Sequence, residues 1–198
     1  MSRETQPAPD ATPTPRKPSA ARERLLATAG RLFYAEGIHT VGVDRVISEA
    51  QITRATFYRH FASKEDLVVA CLQIRDDTLR AQAAGLVEGQ PDPSQALAAI
   101  IEGVGRQLTA KGFRGCPFIN AGAEYPDSAA PVRQVVEAHR TWFRGTIAEL
   151  LASAGHPDPE YAADLLVMLR DGGQVAAYLG DPSAARTAFL RSAAAVFG

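Results

Sequence analysis

The sequence predicts an all-α protein, and two observations carry that prediction. From Ser19 onward, apolar residues recur at intervals of three and four, which is the spacing of one helix face. Clusters of glycine and proline interrupt this pattern, and no stretch alternates apolar and polar residues between turn residues as a strand would. The 198 residues, 46% of them apolar, are enough for one or two packed domains.

Composition excludes several classes of protein. No apolar run approaches the ~20 residues of a membrane span, and the first residues lack the apolar centre of a signal peptide, so we expect a soluble, cytoplasmic protein with no membrane partner. Cys71 and Cys116 are too few for a disulfide framework, and reduced thiols are expected. The four histidines lack metal-ligand spacing, and neither a metal nor a cofactor is expected.

Charge is divided unevenly along a chain whose net charge is only −1. Up to Lys64 there are ten basic and six acidic residues, whereas the remainder holds eleven basic and sixteen acidic residues. The first third is therefore the part expected to bind a polyanion.

The first 66 residues divide into a tail and a group of short helices. Residues 1–18 contain five prolines among Ser, Thr and charged residues, which predicts a flexible tail. Residues 19–66 are expected to form a domain whose first helix runs from an N-cap at Ser19 to Gly37. A two-turn helix follows Gly42, Thr53 caps a third helix, and Ser63 with Asp66 has the capping-box pattern that opens a fourth.

The larger remainder, residues 67–198, is also predicted to be helical. Breaks occur at residues 89–93, 112–117, 126–131, 155–159 and 180–182, where Gly and Pro cluster. We therefore expect helices near residues 64–85, 94–110, 117–124, 131–153, 159–179 and 183–196.

Residues 43–67 carry the chemistry. Two short helices joined by a tight turn at Gln51 and Ile52 have helix-turn-helix geometry, which lets the second helix enter the major groove of DNA. Phe57 and Phe61 are four residues apart and face inward. The polar outward residues can donate to base edges or phosphates, and Ala55 can contact a thymine methyl. We assign DNA contacts to Thr53, Arg54, Ala55, Thr56, Tyr58, Arg59, His60 and Lys64.

The same stretch resembles the TetR family of transcriptional regulators. The resemblance is dense over residues 20–72 and rests above all on the run TFYRHFASKEDL at residues 56–67. It implies base or backbone contacts for Arg54 and Thr56, phosphate contacts for Tyr58, His60 and Lys64, and a further groove contact for Arg45. Two positions depart from the family pattern: Gln51 stands where glycine is common, and Gly42 where Ser or Thr is common.

The resemblance also implies that residues 67–198 bind an effector and dimerise. A single short reading helix makes few contacts, so a two-fold dimer on an inverted-repeat operator in double-stranded DNA is expected. In the family the last two long helices pair with those of the partner, which here implies an interface at Leu165, Leu169, Gly172, Gly173, Ala176, Leu179, Phe189, Ala193 and Phe197. The alternative is that this stripe belongs to the internal core.

Aromatic and polar residues concentrate around residues 111–125 and on the following helix. They could line a mainly apolar effector pocket with a few polar anchors, although an ordinary core would have the same composition. The expected lining is Phe113, Cys116, Phe118, Ile119, Asn120, Glu124, Tyr125, His139, Trp142 and Phe143. The run GFRGCPFINA resembles one TetR subgroup.

Taken together, the sequence predicts a homodimeric, sequence-specific DNA-binding regulator, a repressor released from its operator by a small molecule. One alternative is a regulator without an effector, or one switched by redox chemistry at Cys116. Another is an enzyme with Cys116 as nucleophile and His139 as base, but no phosphate loop or paired-carboxylate motif accompanies these residues, so no enzymatic activity is expected.

Overall fold

The computed structural model describes residues 19–197, which form nine α-helices and, within that range, no strand. The helices are α1 (Ala20–Glu36), α2 (Val43–Glu49), α3 (Arg54–His60), α4 (Lys64–Glu88), α5 (Pro93–Leu108), α6 (Pro117–Glu124), α7 (Pro131–Ser153), α8 (Pro159–Leu179) and α9 (Pro182–Phe197). The all-α prediction is confirmed. The expected flexible tail at residues 1–18 lies outside the described residues.

Helix starts follow the local sequence closely. Each of the five helices from α5 to α9 begins at a proline, whose missing amide hydrogen costs nothing at that position. Thr53 caps α3 by accepting from the amide of Thr56 at 3.1 Å. Ser63 and Asp66 form the expected capping box, with bonds of 3.0 and 3.1 Å.

Two local expectations need correction. Ser19 occupies the N-cap position of α1, but its hydroxyl caps no amide and lies 3.4 Å from Nε2 of His60. Helix α4 continues almost one turn beyond the expected end at residue 85, because Gly85 keeps helical geometry and the chain turns only at Gly89.

The buried apolar residues form two clusters. The first joins the inner faces of α1, α2, α3 and the start of α4, and it continues into α6 and α7 through Phe118, Ala121, Val132 and Val136. The second lies between α5, α7, α8 and α9. The three short N-terminal helices therefore share a core with α6, which lies far from them in sequence.

No helix within residues 19–197 combines the length and the apolar character needed to cross a membrane.

Candidate DNA-binding face and ligand cavity

The turn between α2 and α3 fixes the angle at which α3 projects. Gln51 adopts a left-handed backbone with φ of 53°, and the amides of Gln51 and Ile52 donate to carbonyls at the end of α2. Phe57 is completely buried and Phe61 nearly so, which anchors the inner side of α3. The tight turn expected at Gln51 and Ile52 is present.

The outer side of α3 is open. Thr53, Arg54, Ala55 and Arg59 are exposed, and Tyr58 retains 51% of its accessible surface. The remaining three candidates for DNA contact on and after this helix are half-buried, namely Thr56, His60 and Lys64. No neighbouring segment within residues 19–197 covers the face that was expected to contact DNA.

Two of the arginines expected to contact DNA are held by carboxylates. Arg45 forms ion pairs with Glu36 and Glu49, which raise its pKa, and Arg54 pairs with Asp44. The guanidinium of Arg45 is therefore engaged on both sides, and its contact with the DNA groove stays a prediction.

The two other cations of this face differ from that pattern. Arg59 and Lys64 form no ion pair with any residue in the range 19–197. Partial burial lowers the pKa of Lys64, partly offset by Glu124. These two side chains can bind phosphate without first breaking an internal pair.

A cavity of about 1480 Å³ lies between α1, α4, α5, α6, α7 and α8. Eight of the ten side chains expected to form a pocket line it: Phe113, Cys116, Phe118, Asn120, Glu124, His139, Trp142 and Phe143. Ile119 and Tyr125 do not, because both pack against the first core cluster. The expected pocket lining is corrected at these two positions.

Aromatic stacking organises the wall between α6 and α7. The ring of Phe118 stacks on that of His139 with centroids 3.7 Å apart and an angle of 6°. Nδ1 of His139 is 2.7 Å from a carboxylate oxygen of Asp76 on α4. Burial lowers the pKa of His139, and the hydrogen bond that the ring donates to Asp76 opposes that shift only in part.

Sequence reasoning missed two polar residues of the cavity, Arg170 and Gln174 on α8. Arg170 is only 4% exposed and lies over the ring of Phe143, 4.4 Å from its centroid. Its Nη2 is 3.9 Å from Sγ of the buried Cys116. One turn later, the buried Oε1 of Gln174 has no hydrogen-bond partner within residues 19–197. Their spacing places both on the same stripe of α8 as the buried Leu166 and Ala177, but nothing in the sequence marks that stripe as the inner one.

The cavity wall is bonded directly to the N-terminal helices. The carboxylate of Glu124, the last residue of α6, accepts from the amides of Ile38 at 2.8 Å and His39 at 2.6 Å. The hydroxyl of Tyr34 on α1 donates to the carbonyl of Gly115 at 2.9 Å and accepts from the amide of Arg114 at 2.8 Å. The carboxylate of Glu124 therefore ties the end of α6 directly to the loop between α1 and α2.

The residues expected at a dimer interface fall on two different faces. Gly172, Ala176 and Leu179 face outward, and Leu179 is 76% exposed. Phe189 and Ala193 are buried within the chain, so the expectation is corrected for these two residues. Leu165, Leu169, Gly173 and Phe197 are partly buried, and their place in an interface stays a prediction. A Cβ at Gly173 would lie 3.4 Å from Phe189 of α9, which is an ordinary packing distance.

Four further large apolar side chains on α8 are exposed: Tyr161, Met168, Val175 and Tyr178. Three of them recur every seven residues, so they share one helix face with Leu179. None of the four was among the residues predicted at the interface, because that prediction followed the small residues of this helix.

Comparisons with known proteins agree with this architecture. Residues 25–71 match the family model described as bacterial regulatory proteins, tetR family, and residues 93–192 match a tetracyclin repressor-like C-terminal domain. The crystal structure of SCO4454, a TetR-family transcriptional regulator from Streptomyces coelicolor, is 48% identical with a TM-score of 0.87, and the match covers 89% of this chain and 94% of that one.

Two curated relatives match over shorter stretches. The transcriptional regulator LmrA of Bacillus subtilis is 26% identical over 62% of this chain and 66% of its own length. The transcriptional activator FasR of Mycolicibacterium smegmatis is 30% identical over 59% of this chain and 54% of its own length. Together with the exposed reading helix and both family matches, these relatives establish that the chain belongs to the TetR family of DNA-binding transcriptional regulators, which are not enzymes.

Proposed function

We propose that this protein is a homodimeric repressor that leaves an inverted-repeat operator when a small molecule occupies the cavity. Residues 19–66 serve as the DNA-binding unit and residues 67–198 as the unit for effector binding and dimerisation. The single observation that supports this most strongly is the bond between the two units, in which Glu124 of the cavity wall holds the amides of Ile38 and His39.

DNA binding is proposed to use the open face of α3. Arg59, Tyr58 and Lys64 contact DNA directly, whereas Arg54 first exchanges Asp44 for phosphate or a guanine edge. That exchange is inexpensive because the Arg54–Asp44 pair is exposed to solvent and such pairs are weak.

A second copy of the chain is proposed to cover the exposed apolar face of α8. Met168 and Leu179 are 62% and 76% exposed, which is unusual for large apolar side chains on one face of a long helix. A two-fold axis beside this face brings it against the same face of the second copy. The dimer then presents two copies of α3 to successive major grooves.

Effector control is proposed to run through α4 and α6. Helix α4 starts in the DNA-binding unit and lines the cavity further along, and α6 ends at Glu124. A ligand shifts the protein away from DNA only if it binds the released arrangement more tightly, with a coupling free energy of roughly 1–3 kcal/mol in typical systems.

The decisive test is selection of bound sequences from a random duplex pool with purified protein. An enriched inverted repeat supports the proposal, and a pool without any enriched motif contradicts it. On the selected site, Lys64→Met should weaken binding and reduce the slope of log affinity against log salt by about one. Lys111→Met, which removes an exposed cation away from α3, is the matched control and should leave the slope unchanged.

A further inference from the structure

The charges around the cavity are almost all positive. Its lining contains six basic side chains and one carboxylate, although the part of the chain after Lys64 carries an excess of acidic residues. The carboxylate, Glu124, is already bonded to two backbone amides. The cavity therefore concentrates positive charge against the balance of its own domain.

Five of these cations are exposed and thus lie where the cavity meets solvent. Arg31 is paired with Glu49. The other four, Arg75, Arg106, Lys111 and Arg114, form no ion pair with a residue in the range 19–197. Unpaired charges of one sign around a low-dielectric opening attract ligands of the opposite sign.

Inside the cavity, Arg170 is only half compensated. Its Nε donates to Asp171 at 3.1 Å, but the other oxygen of that carboxylate lies 2.8 Å from Nη2 of Arg140. Two guanidinium groups thus share one carboxylate, and Asp76, the other nearby acid, is occupied by Arg80 and His139. A buried charge without a full partner is costly, and an incoming anion would remove that cost.

The remaining donors of Arg170 fit a planar anion. Its Nη1 has no hydrogen-bond partner within residues 19–197, and its contact with Cys116 uses one hydrogen of Nη2 at the long distance of 3.9 Å. The end of the guanidinium fork is therefore left for a carboxylate, which it can bind through two parallel hydrogen bonds. Gln174, one turn further along α8, offers a buried unpaired acceptor to a hydroxyl or N–H of the same ligand.

We propose that the effector is an organic carboxylate with an apolar or aromatic body and at least one further hydrogen-bond donor. Its carboxylate binds Arg170, its donor binds Gln174, and its body lies along Phe113, Trp142 and Phe143. This inference rests on the proposed role of the cavity as an effector site, but ligand binding can be measured without DNA.

The test compares carboxylates with their neutral counterparts. Three probes of increasing size, 4-hydroxycinnamate, 6-hydroxy-2-naphthoate and 12-hydroxydodecanoate, are titrated into the full-length protein by calorimetry, each beside its primary amide. At least one carboxylate should bind about tenfold more tightly than its amide or better, since hydrogen bonds to a charged partner are at stake. Equal affinity within all three pairs, or no binding of any carboxylate, would overturn the proposal.

Variants locate the site. Arg170→Met should lower carboxylate affinity about tenfold or more, and it leaves Asp171 with Arg140 as a partner. Gln174→Glu supplies an internal carboxylate one turn from Arg170 and should also weaken carboxylate binding, which covers the case in which the first variant fails to fold. Carboxylate affinity that survives in folded forms of both variants refutes the assignment.

Arg59→Met separates this inference from the proposed function, because Arg59 lies on α3 outside the cavity lining. It should abolish DNA binding while carboxylate affinity stays unchanged. Folded Arg170→Met should keep DNA binding and lose carboxylate affinity. A carboxylate that binds without releasing DNA would contradict its role as effector while supporting the ligand class.

Discussion

Replacement of Glu124 by alanine should both destabilise the fold and uncouple the cavity from the DNA-binding helices. The carboxylate accepts two backbone amides at 2.8 and 2.6 Å, and its side chain is 25% exposed. Hydrogen bonds to charged acceptors contribute about 1.5–3 kcal/mol each, and values near the lower end apply to the partly hydrated amide of His39. We therefore expect Glu124→Ala to lose about 3 kcal/mol of unfolding free energy, and Glu124→Gln, which keeps one acceptor, about half of that.

Urea denaturation followed by circular dichroism measures the loss. Glu137→Ala is the matched control, because Glu137 is exposed on α7 and only approaches Arg133 at 3.6 Å, so a change below about 0.5 kcal/mol is expected. In Glu124→Ala and Glu124→Gln, the effector should still bind, but it should change operator affinity less than it does in the unmodified protein. A Glu124→Ala protein as stable as its control, with unchanged coupling, would show that these bonds contribute nothing.

Three further outcomes are expected. Gln51→Gly should raise the unfolding free energy by about 1 kcal/mol, because glycine adopts the φ of 53° without strain, whereas Gln51→Ala retains a Cβ and should give no gain in thermal denaturation. Burial lowers the pKa of His139, so the unfolded chain binds a proton at this ring more readily, and the stability should fall as the pH drops below about 6.5. His139→Gln should lose that part of the pH dependence. Equal pH profiles of the melting temperature in the two proteins would contradict the reasoning. Leu179→Glu should convert the dimer to monomer in analytical ultracentrifugation, whereas Ile74→Glu, at an exposed apolar residue of α4, should not; a dimer that persists in both variants would move the interface elsewhere.

Local signals account for how much of the fold was predictable from sequence. Prolines, glycines and polar caps mark where helices begin and end, and they act within a few residues, so the positions of all nine helices were predicted to within about one turn. Ser19 is an exception because a nearby histidine competes for its hydroxyl. The tight turn at Gln51 and Ile52 was also predicted, from the helix-turn-helix pattern of the two short helices around it.

The candidate site was predictable only where a motif carried it. The reading helix is a continuous run of sequence, so its outward residues could be named, although the carboxylates that hold Arg45 come from α1 and from elsewhere on α2. The cavity is assembled from six helices, and periodicity cannot tell which apolar stripe of α8 faces inward. The predicted interface therefore followed the small residues of that helix and included Phe189 and Ala193, which are buried inside the chain. Arg170 was not predicted as a functional residue.

The continuity of the first core cluster has a consequence for engineering hybrid regulators. Phe118 and Ala121 of α6 are completely buried in the same cluster as Leu32 and Phe57 of residues 19–66. A chimera that joins residues 19–66 to the effector-binding domain of another family member would pack the buried side chains of residues 19–66 against a different α6. Voids or clashes would result where the two domains meet. A hybrid regulator should therefore receive residues 19–66 together with α6. Operator specificity and effector specificity can then be exchanged without disturbing the packing between the two domains.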